Sequence, residues 1–151
     1  MRILVFSDSH GRTRPMLDAL ERYDVDGVFH LGDVVRDGEL LRQHTQLPFY
    51  QVAGNCDLLH PGYPEEQVAR LGDKTIFYLH GHTRGVKSGV DRAVYQAQAM
   101  EADVVLFGHT HRPLCQRFGG VLAVNPGAAA DGRGALLSWT EGEITVEPLT
   151  L

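Results

Sequence analysis

The sequence predicts an α/β protein in which two sheets pack together with helices outside, and three observations predict it. Strand-type and helix-type segments alternate through the first third of the chain, the rhythm of parallel strands joined by crossover helices. Residues 2–7 are nearly all apolar, as a strand covered on both faces requires. From Leu114 onward, short apolar segments are separated by turn residues, a β-rich pattern unlike the first half.

Each element has its own signal. Residues 2–7 form the first strand. Pro15 suits the first turn of a helix, and Met16, Leu17, Leu20 and Tyr23 then make a helical stripe. Residues 27–31 read as a second strand, 38–45 as a short helix and 49–53 as a third strand. In the second half 74–79 reads as a strand, 90–100 as a helix and 103–107 as another strand. Apolar segments at 114–118, 121–124, 135–139 and 144–149 are separated by Gly119-Gly120, Pro126-Gly127 and Glu141-Gly142, as in antiparallel hairpins.

With 151 residues, 43% hydrophobic and no repeat or linker, residues 1–151 are expected to form one domain with a sizeable core. No apolar run is long enough to span a bilayer, and the chain enters a strand without the pattern of a signal peptide. The two cysteines, Cys56 and Cys115, are read as reduced thiols in a cytoplasmic protein, Cys115 as structural. A net charge of −5 argues against stable nucleic-acid binding, which calls for a basic face.

Four short polar groups follow these strands: Asp8-Ser9-His10, Gly32-Asp33, Gly54-Asn55 and Gly108-His109-Thr110-His111, with His80 after the strand at 74–79. Carboxylate, imidazole and amide donors together suit borderline divalent ions such as Mn²⁺, Fe²⁺, Ni²⁺, Co²⁺ or Zn²⁺. Asp8 or Asn55 alone would read as a turn residue, since both types favour loops; it is the joint pattern that reads as a metal enzyme.

The order Asp-x-His, Gly-Asp, Gly-Asn, His, Gly-His-x-His resembles that of the calcineurin-like metallophosphoesterase superfamily. Gly54-Asn55-Cys56-Asp57, His80-Gly81-His82 and Asn125-Pro126-Gly127 make the chain similar to its compact bacterial and archaeal phosphodiesterases of the YfcE type. The resemblance covers residues 2 to about 140. It implies a four-layer α/β/β/α sandwich of two mixed sheets, the metallo-dependent phosphatase fold. It also implies two divalent ions, Mn²⁺ foremost, one held by Asp8, His10, Asp33 and His111 and the other by Asp33, Asn55, His80 and His109. A hydroxide between the ions would attack phosphorus directly, with Asp33, Asn55 and His80 as the catalytic ligands. Two such ions, two carboxylates and one hydroxide sum to about +1, enough to attract a small phosphodiester to an acidic protein.

Arg12, Arg84 and His82 are the candidates for contacting substrate, each beside or near an implied ligand; surface arginines and a rigid loop imidazole are the plainer readings. Cys56 stands where many superfamily members carry a histidine that protonates the leaving group, so acidic leaving groups are expected. Asp57 is read either as orienting a ligand or as capping a turn, and Asn125-Pro126-Gly127 as a tight turn beneath the site. His30 is read as a hydrogen-bonded core residue, and His44 and His60 as solvent-exposed. The resemblance leaves two alternatives open: a protein-interaction scaffold of the retromer-subunit type, and a phosphomonoesterase. A homodimer through the apolar hairpin region is a further expectation, with no membrane association.

Overall fold

The computed structural model describes residues 1–59 and 62–151, so the reading of His60 lies outside the described residues. The first sheet is built from β1 (Arg2–Phe6), β2 (Gly27–His30), β3 (Phe49–Gln51), β9 (Arg133–Ser138) and β10 (Thr145–Thr150), in the order β10-β9-β1-β2-β3. The second contains β4 (Glu66–Leu71), β5 (Lys74–Leu79), β6 (Val104–Leu106), β7 (Leu114–Phe118) and β8 (Val121–Asn125), in the order β4-β5-β6-β8-β7. Both are mixed: β1, β2 and β3 run parallel, as do β5, β6 and β8, while β9, β10, β4 and β7 pair antiparallel with their neighbours.

Period-two alternation produces the layering. In β1, Ile3 and Val5 enter the cluster between the sheets, while Leu4 and Phe6 face helices. In β5 and β6, Ile76, Tyr78, Val104 and Leu106 enter the same central cluster, while Phe77, Leu79, Val105 and, just past β6, Phe107 face the other way. Three apolar clusters thus separate four layers. One outer cluster takes Met16 and Ala19 from α1 (Arg14–Arg22) and Leu41 from α2 (Val35–Gln43); the other takes Ala93, Val94 and Ala97 from α3 (Asp91–Ala99). Each fully buried Phe, Leu, Ile or Met contributes roughly 1.5–3 kcal/mol. The predicted α/β/β/α sandwich is the observed architecture.

Three local expectations are corrected. The second helix starts at Val35, not residue 38, because the Val35 N–H is received by the distant Asp57 carboxylate at 2.9 Å, a cap supplied from elsewhere in the fold. Strand β4 was not foreseen: it is an edge strand in which only Ala69 and Leu71 are buried, so its pattern is masked by charge. Pro126-Gly127 does not close a hairpin, since β8 and β9 belong to different sheets. Instead the chain crosses between sheets there through a 3₁₀ turn at Ala129–Asp131. Among the described residues no helix is long and apolar enough to cross a membrane.

Candidate metal centre

The parallel strands bring their carboxyl ends to one edge of the sandwich, where loops of an α/β protein commonly build a ligand site. Asp8 follows β1, Asp33 follows β2, Asn55 follows β3, His80 follows β5, and His109 and His111 follow β6. Backbone bonds lock the loops together: Asp8 N–H donates to Gly32 O at 2.9 Å, Ser9 N–H to Asp33 O at 2.7 Å, and Gly108 N–H to His80 O at 2.9 Å. Across the seam between the sheets, His109 N–H donates to Asp8 Oδ2 at 3.0 Å.

Asp8, His10, Asp33, His109 and His111 all have positive φ, between 43° and 68°. Glu101 is the one other non-glycine residue in this conformation among the described residues. Left-handed backbone at a residue with a Cβ costs on the order of 1–2 kcal/mol, though Asp and His tolerate it better than most. Five of the seven candidate ligands therefore sit on strained backbone, as functional residues often do.

The glycines beside the ligands answer a steric demand. A Cβ on Gly108 would lie 2.0 Å from Ser7 Oγ and 2.6 Å from Asp8 Oδ2, and one on Gly54 would lie 2.1 Å from Asp33 Oδ1. Neither position has room for a side chain while the carboxylate stays in place.

Asp8, Asp33 and His80 are buried at the centre. His80 Nδ1 lies 2.8 Å from Leu31 O, which can only accept, so Nδ1 carries a proton and Nε2 is the atom that faces the site, a proton donor when the ring is charged and a lone pair when it is neutral. That atom faces Asp33 Oδ2 at 3.3 Å, Asp8 Oδ1 at 3.7 Å and His109 Nδ1 at 3.2 Å. Burial lowers the proton affinity of His80, but the Asp33 hydrogen bond and the charges of Asp8 and Asp33 outweigh it and leave its pKa raised. Burial pushes the Asp33 carboxyl up, yet its bonds to His80 and the Cys56 N–H hold it well below the usual carboxylate range. His109 is pushed down by burial and then by the charges of His80 and Lys87.

This donor set fits a cation. Carboxylate oxygens and imidazole lone pairs repel one another at these separations unless a proton or a positive ion lies among them. Among the described residues two groups have donor atoms close enough to share an ion: Asp8 with His10 and His111, and Asp8 with Asp33 and His80. In His111 the Nε2 atom lies 3.1 Å from Asp8 Oδ1, and in His10 it lies 4.0 Å away. The residue common to both groups is Asp8, whereas the resemblance assigned the shared role to Asp33. Asn55 is exposed at the rim, beside Cys56, whose N–H donates to Asp33 Oδ1 at 3.0 Å.

Other predicted residues take the following places. Arg84 forms a two-bond ion pair with Glu66, Nε to Oε2 at 2.6 Å and Nη2 to Oε1 at 2.7 Å, so its guanidinium faces a carboxylate. Arg12 is exposed and donates to Ala130 O. His82 Nε2 lies 3.3 Å from Glu65 Oε1, and its ring centroid is 5.5 Å from that of His80. The Cys56 thiol is exposed, its pKa raised by partial burial and by Asp33. Cys115, read as structural, is instead exposed on β7, an edge strand of its sheet. His44 is exposed as expected.

Asp57 orients rather than merely caps: buried, it accepts N–H bonds from Asp33 at 2.9 Å, Gly54 at 2.8 Å and Val35 at 2.9 Å. Asn125 likewise does more than shape a turn, since its Nδ2 donates to Gly108 O and Thr110 Oγ1, both at 3.0 Å, and so clamps the loop bearing His109 and His111. Sequence reasoning missed Ser7, whose hydroxyl donates to Asp8 Oδ2 at 2.6 Å. It also missed Asp37, which accepts from Ser9 Oγ and Gly11 N–H, each at 2.7 Å. The same Ser9 hydroxyl lies 3.0 Å from Nε2 of buried His30, confirming His30 as a bonded core residue; burial pushes its pKa down to about 4.

Fold and site together define an α/β/β/α protein with a carboxylate and imidazole donor set, able to hold a cation, at its strand ends. A family model, Calcineurin-like phosphoesterase superfamily domain, matches residues 1–139, and the chain belongs to that superfamily. The probable metallophosphoesterase YsnB of Bacillus subtilis is 34% identical over 131 residues, spanning 85% of this chain and 75% of its own. Phosphodiesterase YfcE of Escherichia coli is 25% identical over 158 residues, 89% of this chain and 82% of its own. A predicted phosphoesterase from Streptococcus pneumoniae superposes with a TM-score of 0.85 at 33% identity, covering 99% of this chain and 88% of that one. Zn²⁺-complexed Vps29 from Entamoeba histolytica shares the fold at 22% identity, with a TM-score of 0.77 over 99% of this chain and 98% of that one.

Proposed function

We propose that this metal-dependent phosphoesterase is a phosphodiesterase working with two divalent ions, Mn²⁺ foremost, on a small phosphodiester. The observation that carries the reading is the convergence of His80 Nε2 on two buried carboxylate oxygens and His109 Nδ1, at 3.2–3.7 Å. Asp8, His10, Asp33 and His111 would hold one ion, and Asp33, Asn55, His80 and His109 the other. Bound there, such a pair supplies a water of lowered pKa and positive charge for the phosphoryl oxygens.

The chain's own residues orient this chemistry. Asp57 and Asn125 fix the loops that carry Asp33 and His109, so little rearrangement is needed during turnover. Beside Asp33, the Cys56 thiol stays neutral and is a weak proton donor, which favours diesters with acidic leaving groups. The YfcE name supports the diester preference. A cytoplasmic enzyme, free of stable nucleic-acid or membrane binding and able to form a homodimer, completes the reading.

Likeness to Vps29 favours a second reading, a protein-interaction scaffold on the same fold. The assembled donor set favours the enzyme. Chelator-stripped protein should bind two Mn²⁺ per chain by calorimetry and elemental analysis. Reloaded, it should hydrolyse bis(p-nitrophenyl) phosphate faster than p-nitrophenyl phosphate. One ion or none at saturation removes the two-metal reading; a faster monoester makes it a phosphomonoesterase; bound metal without turnover returns the scaffold.

A further inference from the structure

A groove of 640 Å³ opens beside the loop carrying His109 and His111, and Thr110, the residue between them, lines it. That volume falls within the roughly 300–1,000 Å³ usual for small-molecule sites. Its apolar lining comes from Val86, Val90, Phe107 and Leu114, and its cations are Lys87 and Arg112. No Asp or Glu is among its lining residues, although the chain as a whole carries a net −5. Lys87 and Arg112 are exposed and have no ion-pair partner among the described residues. The larger cavity nearby differs: it includes Asp91, and its Arg84 is already paired with Glu66.

The wall nearest the metal centre is fixed. Thr110 Oγ1 accepts from Asn125 Nδ2 at 3.0 Å and from the Arg112 N–H at 3.1 Å, tying the cationic residue to the ligand loop.

We propose that this groove seats the ester group of the substrate, and that it takes a nucleoside carrying a second phosphate, the nucleoside against the apolar lining and the added phosphate between Lys87 and Arg112. The proposal rests on the phosphodiesterase reading and names the substrate class for the same site. A flat, largely apolar group suits the floor, and a phosphate offers two cations the multiple acceptors they are built to bind.

The test is calorimetric, on Mn²⁺-loaded protein. Thymidine 3′,5′-bisphosphate should bind about tenfold more tightly than thymidine 5′-monophosphate, an effect of the size expected for a charge-assisted contact. In K87Q/R112Q the ratio should fall to about one, with an unchanged melting curve and metal content. Equal affinities in the wild type, or a preference that survives in the variant, overturn the proposal. Propane-1,3-diol bisphosphate should bind more weakly than the nucleoside compound; equal binding would leave two cations reading phosphate alone and overturn the nucleoside assignment. In turnover, thymidine 3′-phosphate 5′-(p-nitrophenyl phosphate) should show a KM about tenfold below that of its 3′-hydroxyl counterpart. Failure to hydrolyse either, with the binding preference intact, would strike the phosphodiesterase reading and leave the groove standing.

Discussion

The two sheets bring unlike chemistry to the site. Strands of the first deliver Asp8, Asp33 and Asn55, together with His10; strands of the second deliver His80, His109 and His111. The first half is acidic, with Asp8 and Asp33 buried and His10 and Asn55 exposed, and carboxylates hold its loops by receiving backbone N–H groups: Asp57 takes three, and Asp37 takes one beside the Ser9 hydroxyl. The second half is imidazole, clamped by the Asn125 amide and by Leu31 O from the opposite sheet. The formal negative charge lies in the first half and the imidazole nitrogens that face it lie in the second. The difference teaches that the centre is a product of sheet packing, so that loosening the interface should disorder the donors before it unfolds the strands.

The sharpest break in this comparison sets a buried carboxylate against a rim imidazole. Asp33→Asn should lower kcat/KM by 10²-fold or more, roughly 3 kcal/mol of transition-state stabilisation. His111→Asn should cost only about tenfold, because the exposed ring leaves a position water can fill. Equal losses at matched metal occupancy would erase the distinction between the halves. Asp8→Asn belongs in the same series, since Asp8 is the residue common to both donor groups.

The first sheet's polar core predicts a pH signature. His30 is neutral in the fold, with a pKa of about 4, against roughly 6.5 in the unfolded chain. Above pH 6.5 both states are neutral and the group adds no pH dependence. As pH falls toward 4 the unfolded chain takes up a proton that the folded chain refuses, so stability drops. Metal-free protein should lose about 2 kcal/mol from this group between pH 7 and pH 5, seen as a fall in urea midpoint. His30→Asn should flatten that portion of the curve; an unchanged slope would assign it to other groups.

Smaller effects sharpen the chemistry at the seam. Cys56→His should raise kcat about tenfold or more for alkyl leaving groups while leaving p-nitrophenolate nearly unaffected, by supplying a proton donor. Identical slopes of log kcat against leaving-group pKa in both proteins would show that Cys56 does not limit this step. Arg84→Gln should change kcat/KM by less than about twofold, because its guanidinium is held by Glu66 at a partly exposed position. A tenfold rise in KM would instead restore Arg84 as a substrate contact.

The layering and the ligand order were legible because both are written locally. Alternation such as Ile3/Val5 against Leu4/Phe6 specifies two covered faces, and glycine-flanked polar groups mark strand ends. What escaped was long-range. Val35 begins a helix because Asp57, 22 residues later, receives its N–H. Glu66–Leu71 is a strand because β5 offers it an edge, though its own pattern is weak. Arg84 seemed free to meet substrate only while its partner Glu66, 18 residues earlier, was unplaced. Ser7 and Asp37 carried no signal beyond being polar, and adjacency to Asp8 was the sole hint for Ser7.

The left-handed backbone at five candidate ligands has an evolutionary consequence. Glycine would sit more comfortably at His10, His109 and His111, where the side chains are not needed to fill the core. A library screened only for heat resistance without metal should therefore drift toward glycine at these codons, gaining melting temperature as it discards catalysis. Retention of histidine at such positions in a thermostable descendant would mark a lineage still selected for turnover, a trade between durability and chemistry readable from sequence alone.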